Sequence, residues 1–269
     1  MVEVFHNYDE SILFIENWIK RDSKIVAGFT TKNGGVSHSP FESLNMGLHV
    51  KDEQDLVVKN REILASKIQF PLKEWVSGEQ VHRTEIKVVD ELDKGKGSVT
   101  YDNALKGIDG LITNKSGILC TAFFADCVPI YFFDPHSGYV GIAHAGWKGT
   151  VNRIAENMIK TFDKLGVKKD NILVTIGPSI SKEVYEVDDN VVNFIPKEEQ
   201  RYVVTSIAKN RYLLDLKQLN VEILLKSGVL RHNIDVTNYC TYLNNELFFS
   251  HRRDKGKTGR MLGFIGILP

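Results

Sequence analysis

The sequence predicts an α+β protein, a single domain over residues 1–269 with large mixed β-sheets covered by helices. Three observations carry this. Strand-like and helical runs intermix without strict βα alternation. Several strand runs are apolar on both faces, which marks strands buried between layers. No break in composition, internal repeat or low-complexity segment divides the chain.

The elements follow in chain order. Lys24 to Thr31 reads as a strand. Asp55 to Ile68 places Leu56, Val57, Ile63, Leu64 and Ile68 at helical spacing, with acids near the start and Lys67 at the end, as the helix dipole favours. Glu85 to Val89, Gly110 to Thr113, Leu119 to Phe124, Val128 to Phe133 and Tyr139 to His144 read as strands. Thr150 to Leu165 is the clearest helix: Val151, Ile154, Ala155, Met158, Ile159, Phe162 and Leu165 form one stripe, and Gly166 is a good stop. Ile172 to Ile176 is a strand and Asp215 to Ser227 a helix ending at Gly228. Leu247 to Ser250 and Gly263 to Leu268 complete the expected strands.

Composition bounds the partners. Hydrophobic residues make up 42% and charged residues 25% of the 269, an ordinary globular balance. Lys plus Arg and Asp plus Glu are 34 each, so bulk charge offers no reason to expect nucleic acid or an anionic membrane. Cys120, Cys127 and Cys240 are too few for a disulfide scaffold and form no C-x-x-C pair. The N-terminus shows no basic segment followed by an apolar one. The most apolar stretch, Ile118 to Phe133, is interrupted by Asp126 and too short to span a bilayer. A cytoplasmic protein with free thiols is expected.

Five segments offer chemistry. Asp126-Cys127 interrupts an apolar run, and a carboxylate there must be hydrogen-bonded, paired or protonated. Pro129 cannot donate to a ladder, so a strand break near Ala125 to Pro129 would present both side chains at a strand end. The segment alone reads equally as a small buried thiol beside a turn aspartate. In GIAHAGWKGT (141–150), His144 stands at the end of a strand just before a helix, where α/β sites gather, with Lys148 nearby. In GEQVH (78–82), His82 precedes a strand. One thiolate and two imidazoles suit Zn²⁺ with a fourth position open, and would also suit copper. A Cys127–His144 nucleophilic dyad is the competing chemistry. FFSHRRDKGKTGR (248–260) concentrates positive charge, including Arg252 and Arg253, suited to phosphate or carboxylate or simply to a solvated loop. GFTTKNGGVS (28–37) runs a strand into a glycine turn at Lys32.

Taken in order, GFTTKNGGVS with SLNMGLHV, GEQVH, GIDGLIT, ADCVP, HAGWKGT, GPSISKEVYEV and CT with FFSHRRDKGKTGR resemble one family across residues 28–260. It is the laccase-domain proteins, first described as multicopper polyphenol oxidases and later as purine nucleoside phosphorylases. The resemblance implies a four-layer α/β/β/α sandwich with mixed sheets. It implies zinc at His82, Cys127 and His144, with copper possible in its place. The implied reaction is phosphate-dependent cleavage of adenosine, inosine and methylthioadenosine to the free base and ribose 1-phosphate or its methylthio analogue, with adenosine deamination as a side activity. Purine nucleosides and phosphate are then the partners. Asp126, beside the cysteine, is the candidate acid/base. Lys32, Asn45, Lys148, Arg252 and Arg253 are candidate substrate- and phosphate-binding residues. The chain departs from the family at Lys32 (usually Arg), Arg83 (commonly Gly), Ser179 (often Cys) and His251 (commonly Tyr). Laccases build copper clusters largely from paired H-x-H motifs, and none of the eight histidines forms such a pair. The pattern supports a mononuclear site, with any oxidase activity incidental.

Overall fold

The computed structural model describes residues 3–269. Its strands are β1 (His6–Asp9), β2 (Ile12–Phe14), β3 (Ile25–Thr30), β4 (Trp75–Ser77), β5 (Ile86–Val88), β6 (Gly110–Thr113), β7 (Ile118–Phe124), β8 (Val128–Phe133), β9 (Val140–Ala145), β10 (Leu173–Ile176), β11 (Glu186–Val187), β12 (Val204–Ala208), β13 (Arg211–Leu214), β14 (Ile234–Val236) and β15 (Met261–Ile267). Its helices are α1 (Glu16–Arg21), α2 (Gln54–Ile68), α3 (Trp147–Val151), α4 (Ile154–Lys164), α5 (Asp189–Val192), α6 (Lys197–Val203) and α7 (Leu216–Lys226).

One six-stranded sheet runs β1-β2-β3-β15-β7-β4 and a second runs β14-β10-β8-β9-β6-β5. Both are mixed: β4 is parallel to β7, β5 to β6 and β14 to β10, while the other pairs are antiparallel. Alternation along the strands builds the layers. In β7, Ile118, Cys120, Ala122 and Phe124 join a core that also holds Tyr131, Phe133, Val140 and Ile142 of the second sheet. Leu119 and Phe123 of β7 turn the other way, onto Leu64, Ala65 and Ile68 of α2. Ile130 and Phe132 of β8 face Met158, Ile159 and Phe162 of α4 and Leu219 and Ile223 of α7. The stack is therefore helix, sheet, sheet, helix, the expected four-layer sandwich. A small sheet, β11-β13-β12, lies apart from both large ones in the hydrogen-bond order.

The structure revises two of the expected elements and places the expected break near Ala125 to Pro129. The expected helix over Thr150 to Leu165 is two helices, because Arg153 adopts a left-handed backbone (φ 70°) between α3 and α4. The apolar stripe from Ile154 to Phe162 belongs to α4, while Val151 lies on α3. Leu247 to Ser250 is not a strand. Phe248 and Phe249 are buried, yet their N–H groups bond Asn244 O and Met261 Sδ rather than a ladder. Pro129 lies within β8, opposite His144, and the chain breaks just before it, at Ala125 to Cys127. That break is a crossover: β7 belongs to one sheet and β8 to the other. Three residues therefore carry the chain between sheets and leave Cys127 at the open end of the layer between them.

Candidate metal centre and its cavity

One strand end and two loops converge at that end. His144 is near the end of β9, pointing to the same side as Val140 and Ile142, and its ring meets Phe124 edge-on at 5.6 Å. Cys127 follows the crossover, where Asp126 takes a left-handed turn (φ 83°). His82 comes from the loop after β4, with Gln80 (φ 58°) and His82 itself (φ 60°) also left-handed. Positive φ at non-glycine residues is unfavourable and persists only where surroundings hold it. Here two anchors do so. Gln80 exchanges hydrogen bonds with the backbone of Phe123 on β7, its Nε2 donating to the carbonyl (2.9 Å) and its Oε1 accepting from the N–H (2.8 Å). Asp109, just before β6, accepts the N–H groups of Val81, His82 and Arg83 (3.1, 3.1 and 2.8 Å).

The ligand-type atoms of His82, Cys127 and His144 all lie within 4.8 Å of one another. His82 Nε2 is 3.9 Å from Cys127 Sγ, and the two imidazole rings are 4.7 Å apart between centroids. His82 is exposed, Cys127 half-buried and His144 buried. Asp109 Oδ1 stands 2.9 Å from His144 Nδ1, leaving Nε2 for the cluster. That is the carboxylate–histidine arrangement which orients a metal ligand. A Cβ on Gly146 would come within 2.9 Å of His82 Cδ2 and 3.0 Å of Cys127 Sγ, so this glycine keeps the space clear. Among the described residues no second group of three such side chains occurs.

The electrostatics are those of a charged pair. Burial pushes the Cys127 thiol up, but the charge of His144 and hydrogen bonds from both histidines outweigh it and hold the thiol at about 6. Burial would lower His144. The Cys127 thiolate and Asp109 prevail and raise it to about 9. Asp109 is held below the usual carboxylate range despite its burial, by His144 and the backbone N–H groups.

The cluster lines a cavity of about 540 Å³. Phe123, Trp147, Tyr185 and Tyr101 give it aromatic walls, and Lys148, Arg252 and Arg260 give it cationic ones. Burial raises the Tyr185 phenol, and Arg252 lies over its ring at 5.1 Å. The side chains singled out in the sequence divide here. His82, Cys127, His144, Asp126, Lys148 and Arg252 line the cavity; Lys32, Asn45 and Arg253 do not. Arg253 spends all five N–H donors on Asp254, Thr241 O, Tyr242 O and Phe248 O. Asn45 is buried, its amide bonding Asp52 and its Oδ1 accepting from Gly47 N and Arg260 N. The Asp126 carboxylate accepts Thr241 Oγ1 (2.7 Å), Ser250 Oγ (3.1 Å) and Arg252 N (2.7 Å). Asp109 is not a sequence candidate, and Arg260 enters only as one of the basic residues of the 248–260 segment, beside Arg252, Arg253, Lys255 and Lys257. The signal for Asp109 was legible: a carboxylate opening the apolar run GIDGLIT demands a partner.

Fold and site define a class, that of mixed-sheet sandwiches with one thiolate–imidazole cluster, fit for a metal ion, at the floor of a cavity. The chain belongs to the multi-copper polyphenol oxidoreductase laccase family, whose pattern it matches over residues 26–268. It is 47% identical over 264 residues to the purine nucleoside phosphorylase YlmD of Bacillus subtilis, covering 96% of this chain and 95% of that one. The crystal structure of YlmD from Geobacillus stearothermophilus superposes with a TM-score of 0.96 at 43% identity over the whole of both chains. Neisseria meningitidis protein NMB0706 is more distant, with a TM-score of 0.79 and 30% identity over 92% of this chain and 96% of that one. Among the described residues no helix is long and apolar enough to cross a membrane.

Proposed function

We propose that the chain, acting as one catalytic unit over residues 1–269, is a zinc-dependent purine nucleoside phosphorylase of the cytoplasm. The proposed substrates are adenosine, inosine and methylthioadenosine, with adenosine deamination as a side activity. The carrying observation is the convergence of His82, Cys127 and His144, backed by Asp109, on the floor of a nucleoside-sized cavity. One sulfur and two nitrogens with a side open to the cavity suit catalytic Zn²⁺. Bound there, zinc would supply Lewis acidity at an open coordination position. Copper suits the same donors and is the alternative load.

The chain's own residues do the rest. Asp109 fixes the His144 tautomer and ties the His82 loop to it. Phe123, Trp147 and Tyr185 offer ring faces to a purine. Tyr185, kept protonated by burial, offers a hydrogen-bond donor to it. Lys148 and Arg252 draw phosphate to the cavity. Asp126, the sequence candidate for acid/base, has its carboxylate taken up by three donors. We therefore assign it to holding the loop that carries Ser250 and Arg252. The test is metal analysis of the purified protein beside an inosine assay with and without phosphate. The expected result is about one zinc per chain and ribose 1-phosphate only when phosphate is present. Product formed equally without phosphate, or by metal-free protein, overturns the reading.

One observation favours a second reading. Cys127, His144 and Asp109 form a thiolate–imidazole–carboxylate series, the arrangement of a metal-free cysteine hydrolase or deamidase. Stoichiometric metal argues against it, and a covalent adduct trapped on Cys127 argues for it.

A further inference from the structure

One cavity side chain has no part in that reading. Arg260 immediately precedes β15 and is held on three sides. Its N–H donates to Asn45 Oδ1 (2.9 Å). Its stem packs on Gly47, where a Cβ would come within 2.8 Å of Arg260 Cγ. Its Nη1 donates to Thr258 O (2.9 Å) and Gly259 O (3.0 Å). Among the described residues nothing accepts from Nε or Nη2, and no carboxylate pairs with the guanidinium. These two nitrogens form the side-on fork that matches two oxygens of a tetrahedral anion.

A second guanidinium stands behind the same wall. Arg61 of α2 is wholly buried. It donates to Met46 O (2.9 and 2.6 Å), Gly97 O (2.6 Å) and Ser98 O (2.8 Å), and lies 4.6 Å from the centroid of Phe123, a cavity residue. Carbonyl dipoles satisfy its N–H groups, but no carboxylate neutralises it. A buried cation without a counter-ion is costly. Arg61 and half-buried Arg260 place two positive charges on this side of the cavity, and Arg260 alone of the two lines it.

We propose that Arg260 seats the attacking phosphate through Nε and Nη2, with buried Arg61 adding background positive charge. The proposal rests on the phosphorolysis reading. A phosphate oxygen forms the bond to ribose C1′ as the C1′–N9 bond breaks. The electron pair leaves with the purine, and the proton of hydrogen phosphate ends there too. Lys148 and Arg252 attract the anion at the cavity wall; Arg260 holds it for attack. Asn45, chosen from the sequence as a substrate contact, acts instead as a positioning residue through the Arg260 backbone.

The test compares metal-loaded wild type, Arg260→Lys and Arg260→Gln with inosine and varied phosphate. Loss of a charge-assisted fork raises the phosphate KM of Arg260→Gln by about tenfold or more, while the inosine KM stays within about twofold. Arg260→Lys keeps the charge without the fork and falls between. Inorganic phosphate raises the Tm of the wild type and leaves that of Arg260→Gln unmoved. If Arg260→Gln does not fold, Arg260→Lys decides. An unchanged phosphate KM, with an unchanged phosphate-induced Tm shift, overturns the assignment. A wild type indifferent to phosphate overturns the phosphorolysis reading itself; a phosphate-dependent wild type with indifferent Arg260 variants overturns only the role of Arg260.

Discussion

Asp109 and Asp126 are both buried aspartates flanking an apolar strand, Asp109 just before β6 and Asp126 just after β7, and they serve different regions. Asp109 joins two ligand loops: one oxygen meets His144 Nδ1, and the carboxylate gathers three N–H groups around His82. Asp126 is next to Cys127 in the chain, yet it organises the basic loop at Ser250 and Arg252 and receives Thr241. The aspartate distant in sequence supports the histidines of the cluster, and the adjacent one supports a loop. Neighbouring side chains of a chain at a tight turn diverge, so adjacency is a poor guide to shared work.

The largest expected effect tests the cluster itself. Cys127→Ala removes the one thiolate and lowers metal affinity and phosphorolysis by about a hundredfold or more, read by metal analysis and ribose 1-phosphate release. A metal-free variant with full activity would break the metal reading. Asp109→Asn sharpens the comparison. Loss of the histidine's carboxylate costs about 10–100-fold in metal affinity or activity. Asp126→Asn, by contrast, leaves metal affinity within about threefold and lowers stability by about 1–3 kcal/mol, seen in denaturant unfolding. If the two variants exchange these phenotypes, the division of labour between them is wrong.

The pH dependence follows from the pair in metal-free protein. A thiol held at about 6 contributes stability that is present above its ordinary range and lost as pH falls toward 6. An imidazole held at about 9 contributes stability that is present below 6.5 and lost as pH rises toward 9. The thiolate–imidazolium pair therefore populates between about 6 and about 9. Alkylation of Cys127 in metal-free protein should titrate near the lower limit. In His144→Asn its midpoint should move up into the ordinary thiol range. An unmoved midpoint would show that His144 does not hold the thiolate. The smallest effect on catalysis belongs to Arg253→Ala: an unchanged phosphate KM with a lower Tm, because its five donors brace the loop and reach no substrate. A raised phosphate KM would return Arg253 to the site.

Legibility followed the local signal. Strands β7, β8 and β9 were readable because unbroken apolar runs bounded by Asp126 and by the helix after His144 admit few other structures. The sequence suggests a strand at Leu247 to Ser250 because burial of Phe248 and Phe249 looks the same in sequence whether the backbone joins a ladder or caps a loop. The break at Arg153 left the apolar stripe intact, so periodicity gave no warning of it. Short pieces such as β4 and β11 lack the length for a period.

The amino-acid order alone determined the layered α+β class, through apolar runs, and pointed to His82, Cys127 and His144 by residue type and by the motifs that resemble a known family, not by their spacing. Only the tertiary structure decided what those side chains meet. Asp109 and Arg260 were assigned by contacts with residues far along the chain. Lys32 and Arg253 were turned from the cavity by the same packing. A side chain's chemistry is written locally, but its partners are set by which loops the two sheets bring to one end.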